Sequence, residues 1–296
     1  MAASKNFPRL PSNWTETQFH ILENSIFCRA YLKQGHPQKA LFIVHGQGEQ
    51  SDRYEHFAEY LKEDIDAIFT FDLPGHGQSK GIRGHIQNFD EYSAAAVKAL
   101  EAFQLKFPNC EIHWFGHSLG GLISLRTLFK FPNLKIRSVI ISAPLLGLAL
   151  PVPYLKKKFG EIVSSFLGFI KLSNEIDGSL VSRDASVVQE YSLNPLNHAF
   201  VTPSFFVNMT KELEQTSQNR GPFSYSLFMC IPMGDRIVSA DSSIAFYQHL
   251  ELKNGLQKEL LKLDGFYHES FNDIGKEKAF AGLKSWFIKM KSEGAL

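Results

Sequence analysis

Apolar positions along the chain follow two rhythms. Short runs that are apolar almost throughout, "ALFIV", "AIFTF", "IHWF" and "SVII", alternate with longer stretches whose apolar residues recur every three or four positions. The first kind predicts strands buried on both faces of a parallel sheet, and the second predicts the helices that cover it. Ahead of them, "FHI" and "IFCRAYLK" flank polar Glu23-Asn24-Ser25 and read as two strands joined by a turn. "EHFAEYLKE" and "FDEYSAAAVKALEAFQLKF" have helical spacing, the latter stopped by Pro108. The rhythm breaks near Pro144. It resumes with the strand "SLFMCIP", a helix around "SSIAFYQHL", the strand "QKELLKLDG" and a last amphipathic helix from about Lys276. The predicted organisation is one α/β core, residues 1–146 and 222–296, interrupted by an insertion at 147–221. Within the insertion, Phe159, Ile162, Val163, Phe166, Leu167 and Ile170 recur at helical spacing, with Glu161, Ser164 and Ser165 opposite.

Ligands of open parallel sheets bind beyond the carboxyl ends of the strands. His45-Gly46-Gln47-Gly48 follows the first buried strand, and Ser118 follows "IHWF" inside "GHSLGG". Asp235 follows "LFMCIPMG", and His268 follows "LLKLDGFY". Small residues crowd Ser118 where a strand turns into a helix, the pattern of a G-x-S-x-G nucleophile elbow. A serine hydroxyl needs an imidazole to take its proton, and that imidazole needs a carboxylate to fix its tautomer. Ser118, Asp235 and His268 supply these in chain order. Asp241 and Asp264 compete with Asp235, but one falls inside the following helix and the other on the strand end that carries His268. The backbone N–H groups of Leu119 and Gln47 are the expected oxyanion donors. His45, His76, His85 and His117 are expected to brace turns by hydrogen bonding.

Bulk properties narrow the class without choosing the chemistry. The chain has 296 residues and a formal net charge of +1, which offers no electrostatic basis for nucleic acid binding. Cys28, Cys110 and Cys230 lack C-x-x-C spacing and read as reduced core thiols. No grouping has metal-ligand spacing and no phosphate-cradling or dinucleotide fingerprint is present, so neither metal nor cofactor is expected. The N-terminal stretch has no apolar signal core, and no window has transmembrane length, so the expectation is a soluble cytoplasmic protein.

Four blocks, "VHGQGEQSDRY", "FDLPGHGQSKGIRGHIQNFDEY", "GHSLGG" and "GDRIV", with "YHES" at the histidine, resemble the α/β-hydrolases of the monoacylglycerol lipase and lysophospholipase-like family. The resemblance runs from about Ala40 to the last helix, and "SRDASVVQEYSLNPL" is similar to the family's cap segment. It implies an eight-stranded sheet whose second strand is antiparallel, with the insertion as a lid over Ser118. The approach to the acid, "PMGDRIV", departs from the longer polar segment of the family.

A lid helix faced by Phe159, Ile162, Val163 and Phe166 would line an acyl-chain site or touch a membrane or micelle; packing on the core beneath is the plainer alternative. The expected function is a serine esterase for monoacylglycerols or lysophospholipids. The alternatives are an esterase or thioesterase for small or aromatic substrates, and a catalytically silent binding module. Dehalogenase and epoxide hydrolase chemistry needs a carboxylate where this chain has Ser118.

Overall fold

The computed structural model describes residues 10–22, 25–149, 167–174 and 177–292. Strands β1 (Trp14–Ile21) and β2 (Ile26–Lys33) form an antiparallel hairpin, with Trp14 opposite Lys33 and Ile21 opposite Ile26. Then come β3 (Lys39–Val44), β4 (Ala67–Phe71), β5 (Glu111–His117) and β6 (Ser138–Ser142). After the insertion come β7 (Leu227–Pro232) and β8 (Lys258–Leu263). The eight strands form one sheet in the order β1-β2-β4-β3-β5-β6-β7-β8. Only β2 runs against its neighbours, pairing antiparallel with both β1 and β4; β4, β3, β5, β6, β7 and β8 are mutually parallel. This is the α/β-hydrolase fold.

The apolar runs follow from burial on both sides. Every residue of β4, β6 and β7 is buried, whereas edge strand β1 alternates and edge strand β8 is half-covered. Side-chain alternation along β3 sends Ala40, Phe42 and Val44 to one core and Leu41 and Ile43 to the other. The first core packs against α2 (Asp90–Lys106) through Leu100 and Phe103 and against α3 (Leu119–Lys130) through Leu122 and Leu125. The second packs against α1 (Phe57–Leu61) and the C-terminal helix, where Phe57 and Trp286 are buried. Cys28 and Cys230 are buried and Cys110 is half-buried; all three are free thiols.

Between β6 and β7 lie α4 (Ala185–Leu193), α5 (Pro203–Ser217) and a two-residue ribbon pairing Leu172–Ser173 with Phe200–Val201, which the sequence pattern does not predict. Two further helices, α6 (Ala240–His249) and α7 (Glu277–Ser292), complete the fold. The predicted lid residues Phe159, Ile162, Val163 and Phe166 lie outside the described residues. At the end of the same predicted face, Leu167 and Ile170 are 45% and 39% exposed.

The later part of the insertion is clasped to the core backbone to backbone. His198 N–H donates to the Gly48 carbonyl at 2.8 Å, and Thr202 N–H donates to the Gly84 carbonyl at 2.9 Å. Phe205 and Met209 of α5 are buried in the first core. The chains approach so closely at Gly84 (φ +65°) that a Cβ there would lie 2.0 Å from the Phe200 carbonyl oxygen. Gly255 has φ +81° with nothing within 4 Å of a Cβ. Both Gly→Ala variants incur the roughly 1–2 kcal/mol of a left-handed side chain. Only Gly84→Ala must also displace the clasped segment, so it should lose about 1–3 kcal/mol more than Gly255→Ala in urea denaturation. Equal losses would contradict the close approach.

Candidate active site

The site begins with a backbone conformation. Ser118 joins β5 to α3 with φ 54° and ψ −118°, a left-handed φ that side chains other than glycine rarely adopt. Hydrogen bonds hold it there. Ser118 N–H donates to the Ser142 carbonyl at 3.0 Å, and the Ser118 carbonyl accepts from Gly121 at 2.9 Å and from Leu145 at 3.0 Å. Gly120 explains the small neighbours: a Cβ there would lie 2.1 Å from the Val44 carbonyl oxygen, so α3 starts in contact with the end of β3.

The turn aims the serine oxygen at the loop after β8. His268 Nε2 lies 2.8 Å from Ser118 Oγ, and His268 Nδ1 lies 2.7 Å from Asp235 Oδ2. The other carboxylate oxygen, Oδ1, accepts from Ile237 N–H at 2.8 Å and Val238 N–H at 3.1 Å, which locks the orientation of Asp235. Its competitors Asp241 and Asp264 are exposed. Burial pushes the His268 imidazole toward its neutral form. Asp235, with smaller contributions from Glu269 and Glu49, outweighs that effect, and the net shift is upward. The arrangement can move a proton from the serine hydroxyl to an imidazole whose charged form is stabilised.

Leu119 is the first residue of α3, so its N–H has no acceptor within the helix. The loop carrying Gln47 lies across Ser118: a Cβ on Gly46 would be 3.2 Å from the Ser118 Cβ. The Gln47 side chain turns away, with Nε2 donating to the Phe200 carbonyl at 3.1 Å and Oε1 3.2 Å from His76 Nε2. Buried His45 supports the same loop. Its Nε2 accepts from Leu73 N–H at 2.9 Å, which leaves the proton on Nδ1, 2.8 Å from the Gly46 carbonyl. Burial pushes His45, His76 and His117 downward, and His85 Nδ1 lies 3.0 Å from Thr202 Oγ1. Among the described residues no group of three or more His, Cys, Asp or Glu side chains is placed to hold a metal ion.

A hydrolase family described as "Serine aminopeptidase, S33" matches residues 35–275, most of the chain. The chain belongs to this family. Within it the chain is similar to monoacylglycerol lipases. It is 27% identical to rat monoglyceride lipase over 244 residues, 82% of this chain and 79% of the relative. The solved structure of a monoacylglycerol lipase from Paleococcus ferrophilus superposes with a TM-score of 0.77 at 25% identity, covering 94% of this chain and 99% of that one. The chain is also 28% identical over 278 residues to an uncharacterized abhydrolase domain-containing protein of Dictyostelium discoideum, of which it spans only 28%.

One feature of the site was not legible as such in the sequence. "EQSDRY" reads as a polar loop, yet it carries a buried ionic cluster. The Arg53 guanidinium is 2.5 Å from Glu269, 2.7 Å from Glu190 and 3.2 Å from Glu49, and it stacks 4.9 Å from the Tyr191 ring centre. These carboxylates come from three places: the loop after β3, helix α4 of the insertion, and the residue after His268. Glu49 also accepts the Gly46 N–H and, at 2.9 Å, the Tyr54 hydroxyl. Burial and Glu49 push the Glu269 carboxyl up against the opposing pull of Arg53, whereas Arg53 itself stays charged. The only legible signal was a lone arginine and glutamate beside a predicted oxyanion loop.

Removing one partner of a buried ion pair typically costs about 3–5 kcal/mol because the other charge is left unpaired. Arg53→Met should destabilise by that amount in chemical denaturation. Because Glu269 already binds its proton more readily in the folded state, the deficit should shrink under mildly acidic conditions. A deficit that grows on acidification would contradict the unpaired-carboxylate account.

Proposed function

We propose that this protein is a serine esterase that cleaves the acyl ester of monoacylglycerols or lysophospholipids through an acyl-enzyme. The observation that carries this reading is the unbroken relay from Ser118 Oγ to His268 Nε2 at 2.8 Å and from His268 Nδ1 to Asp235 at 2.7 Å. Ser118 Oγ attacks the carbonyl carbon while His268 Nε2 takes its proton. The negative charge that develops on the carbonyl oxygen is met by the Leu119 and Gln47 N–H groups. The tetrahedral species collapses, the ester C–O bond breaks, and His268 returns the proton to the departing glycerol or glycerophospho oxygen. A water molecule, deprotonated by the same imidazole, then releases the fatty acid and regenerates Ser118.

The acyl preference rests on the insertion and on the relatives' printed activity. Phe169 and Leu172 are 59% and 50% exposed, and Phe200 is exposed beside them, with Lys171 Nζ 5.7 Å from the Phe200 ring centre. Apolar side chains edged by a lysine suit contact with lipid, and they support transient docking on a micelle or membrane surface. No helix among the described residues is long and apolar enough to cross a membrane. The lid residues Phe159, Ile162, Val163 and Phe166 are proposed to meet the acyl chain.

Fatty-acid release from monooleoylglycerol, lysophosphatidylcholine and a short-chain aryl ester tests the substrate class. Release from either lipid should exceed that from the aryl ester, and Ser118→Ala should lower it by roughly 10⁶-fold with an unchanged denaturation midpoint. Release from the aryl ester alone would overturn the lipid reading and leave the triad standing.

The pH dependence follows from the upward shift of His268. The neutral imidazole is the active base, so activity should fall as pH drops through a value shifted upward from that of an ordinary histidine. In Asp235→Asn burial is no longer outweighed, so the acid limb should move to lower pH while kcat drops by about 10⁴-fold. An acid limb moving to higher pH would show that Asp235 does not hold the histidine charge.

A further inference from the structure

A small internal space lies between the elements that carry Ser118 and His268. It is lined by Tyr54, Phe115, His117 and Ser142 on one side and by the loop from Glu269 to Asn272 on the other. The centre of a water-sized sphere has about 10 Å³ to move in. A single buried water needs roughly that much room, together with two to four polar partners.

The partners are present. Among the described residues, Ser142 Oγ, Ser270 Oγ and Asn272 Oδ1 are buried oxygens with no nitrogen or oxygen hydrogen-bond partner, and all three residues line this one space. Buried polar atoms are almost always satisfied by protein or by ordered water, so three together require an explanation. Flipping the Asn272 amide does not supply one. Asn272 Nδ2 is held by Glu269 Oε2 at 3.0 Å, which fixes Oδ1 on the other side of the amide. Ser270 lies against the Cys230 thiol, a weak hydrogen-bonding group.

We propose that this space binds one structural water molecule. Its two hydrogens go to Asn272 Oδ1 and one serine oxygen, and it accepts a hydrogen from the other serine hydroxyl. The water joins the two halves of the site. Ser142 ends β6 and receives the Ser118 N–H through its carbonyl at 3.0 Å, while Ser270 and Asn272 sit two and four residues beyond His268 in the same loop. His117, which also lines this space, has its ring centre 4.8 Å from that of His268. Ser142, Ser270 and Asn272 are therefore positioning residues: through the water they hold the histidine loop at a fixed distance from the nucleophile. The kinetic consequence rests on the proposed roles of Ser118 and His268, whereas the water site does not.

Crystal structures at a resolution that shows ordered solvent test the site in the wild-type protein and in Ser142→Val, whose methyl groups occupy the space. The wild type should show one solvent peak within hydrogen-bond distance of Ser142 Oγ, Ser270 Oγ and Asn272 Oδ1, and Ser142→Val should lack it. Ester hydrolysis by Ser142→Val should lose kcat by about tenfold at unchanged KM, short of the ~10²-fold that a 1 Å misplacement can cost. Ser142→Ala, which leaves the space open, should keep the peak and lose less. A wild-type space without density would overturn the proposal even if no variant folds. An unchanged kcat in Ser142→Val would overturn the positioning role. A solvent peak in a protein that hydrolyses no ester would support the water site and remove the esterase reading instead.

Discussion

The left-handed backbone at Ser118 is the constraint on which the rest of the site depends. A side chain in that conformation carries strain of roughly 1–3 kcal/mol, which persists only where surrounding contacts over-determine it. Here they do so from three sides. The end of β6 accepts the Ser118 N–H, the first turn of α3 and Leu145 donate to its carbonyl, and Gly120 lets that helix rest on the β3 carbonyls. The strained turn brings Oγ to His268, and it starts α3 at Leu119, whose N–H has no acceptor within the helix.

A second constraint ties the surrounding loops together. Three segments far apart in sequence meet on the buried Arg53 guanidinium: the loop after β3, the loop of His268 and helix α4 of the insertion. A buried ion pair adds little net stability over an apolar packing, but it is strongly directional. It acts together with other bonds between the insertion and the His268 loop, such as Glu269 N–H to the Val181 carbonyl at 2.8 Å and Arg183 Nε to Asp273 Oδ2 at 2.9 Å. Beside it, the backbone clasp at Gly48 and Gly84 fixes the later half of the insertion.

The core of this fold was legible because burial on both faces leaves a simple trace. Strands β3 to β7 are apolar nearly throughout, and the helices between them repeat every three or four residues. The residues Ser118, Asp235 and His268 were legible because strand ends mark one edge of the sheet, and the structure brings these three together there. The short ribbon at Leu172 and Phe200 was not legible, since two-residue strands have no periodicity to detect. Nor was the Arg53 cluster. Charged residues in a loop are usually solvated, and only tertiary contact reveals that Glu49, Arg53 and Glu269 are buried together. Cys110 likewise sits at the rim of the core rather than inside it, because it lies just before β5 begins at Glu111.

Reaction with a fluorophosphonate followed by peptide mass spectrometry tests the central claim most directly, because it asks whether Ser118 is an activated nucleophile without assuming a substrate. The relay predicts a single covalent phosphonate on Ser118, formed rapidly in the wild type and very slowly when His268 is replaced by alanine. No adduct, an adduct on another residue, or a rate indifferent to His268 would contradict it.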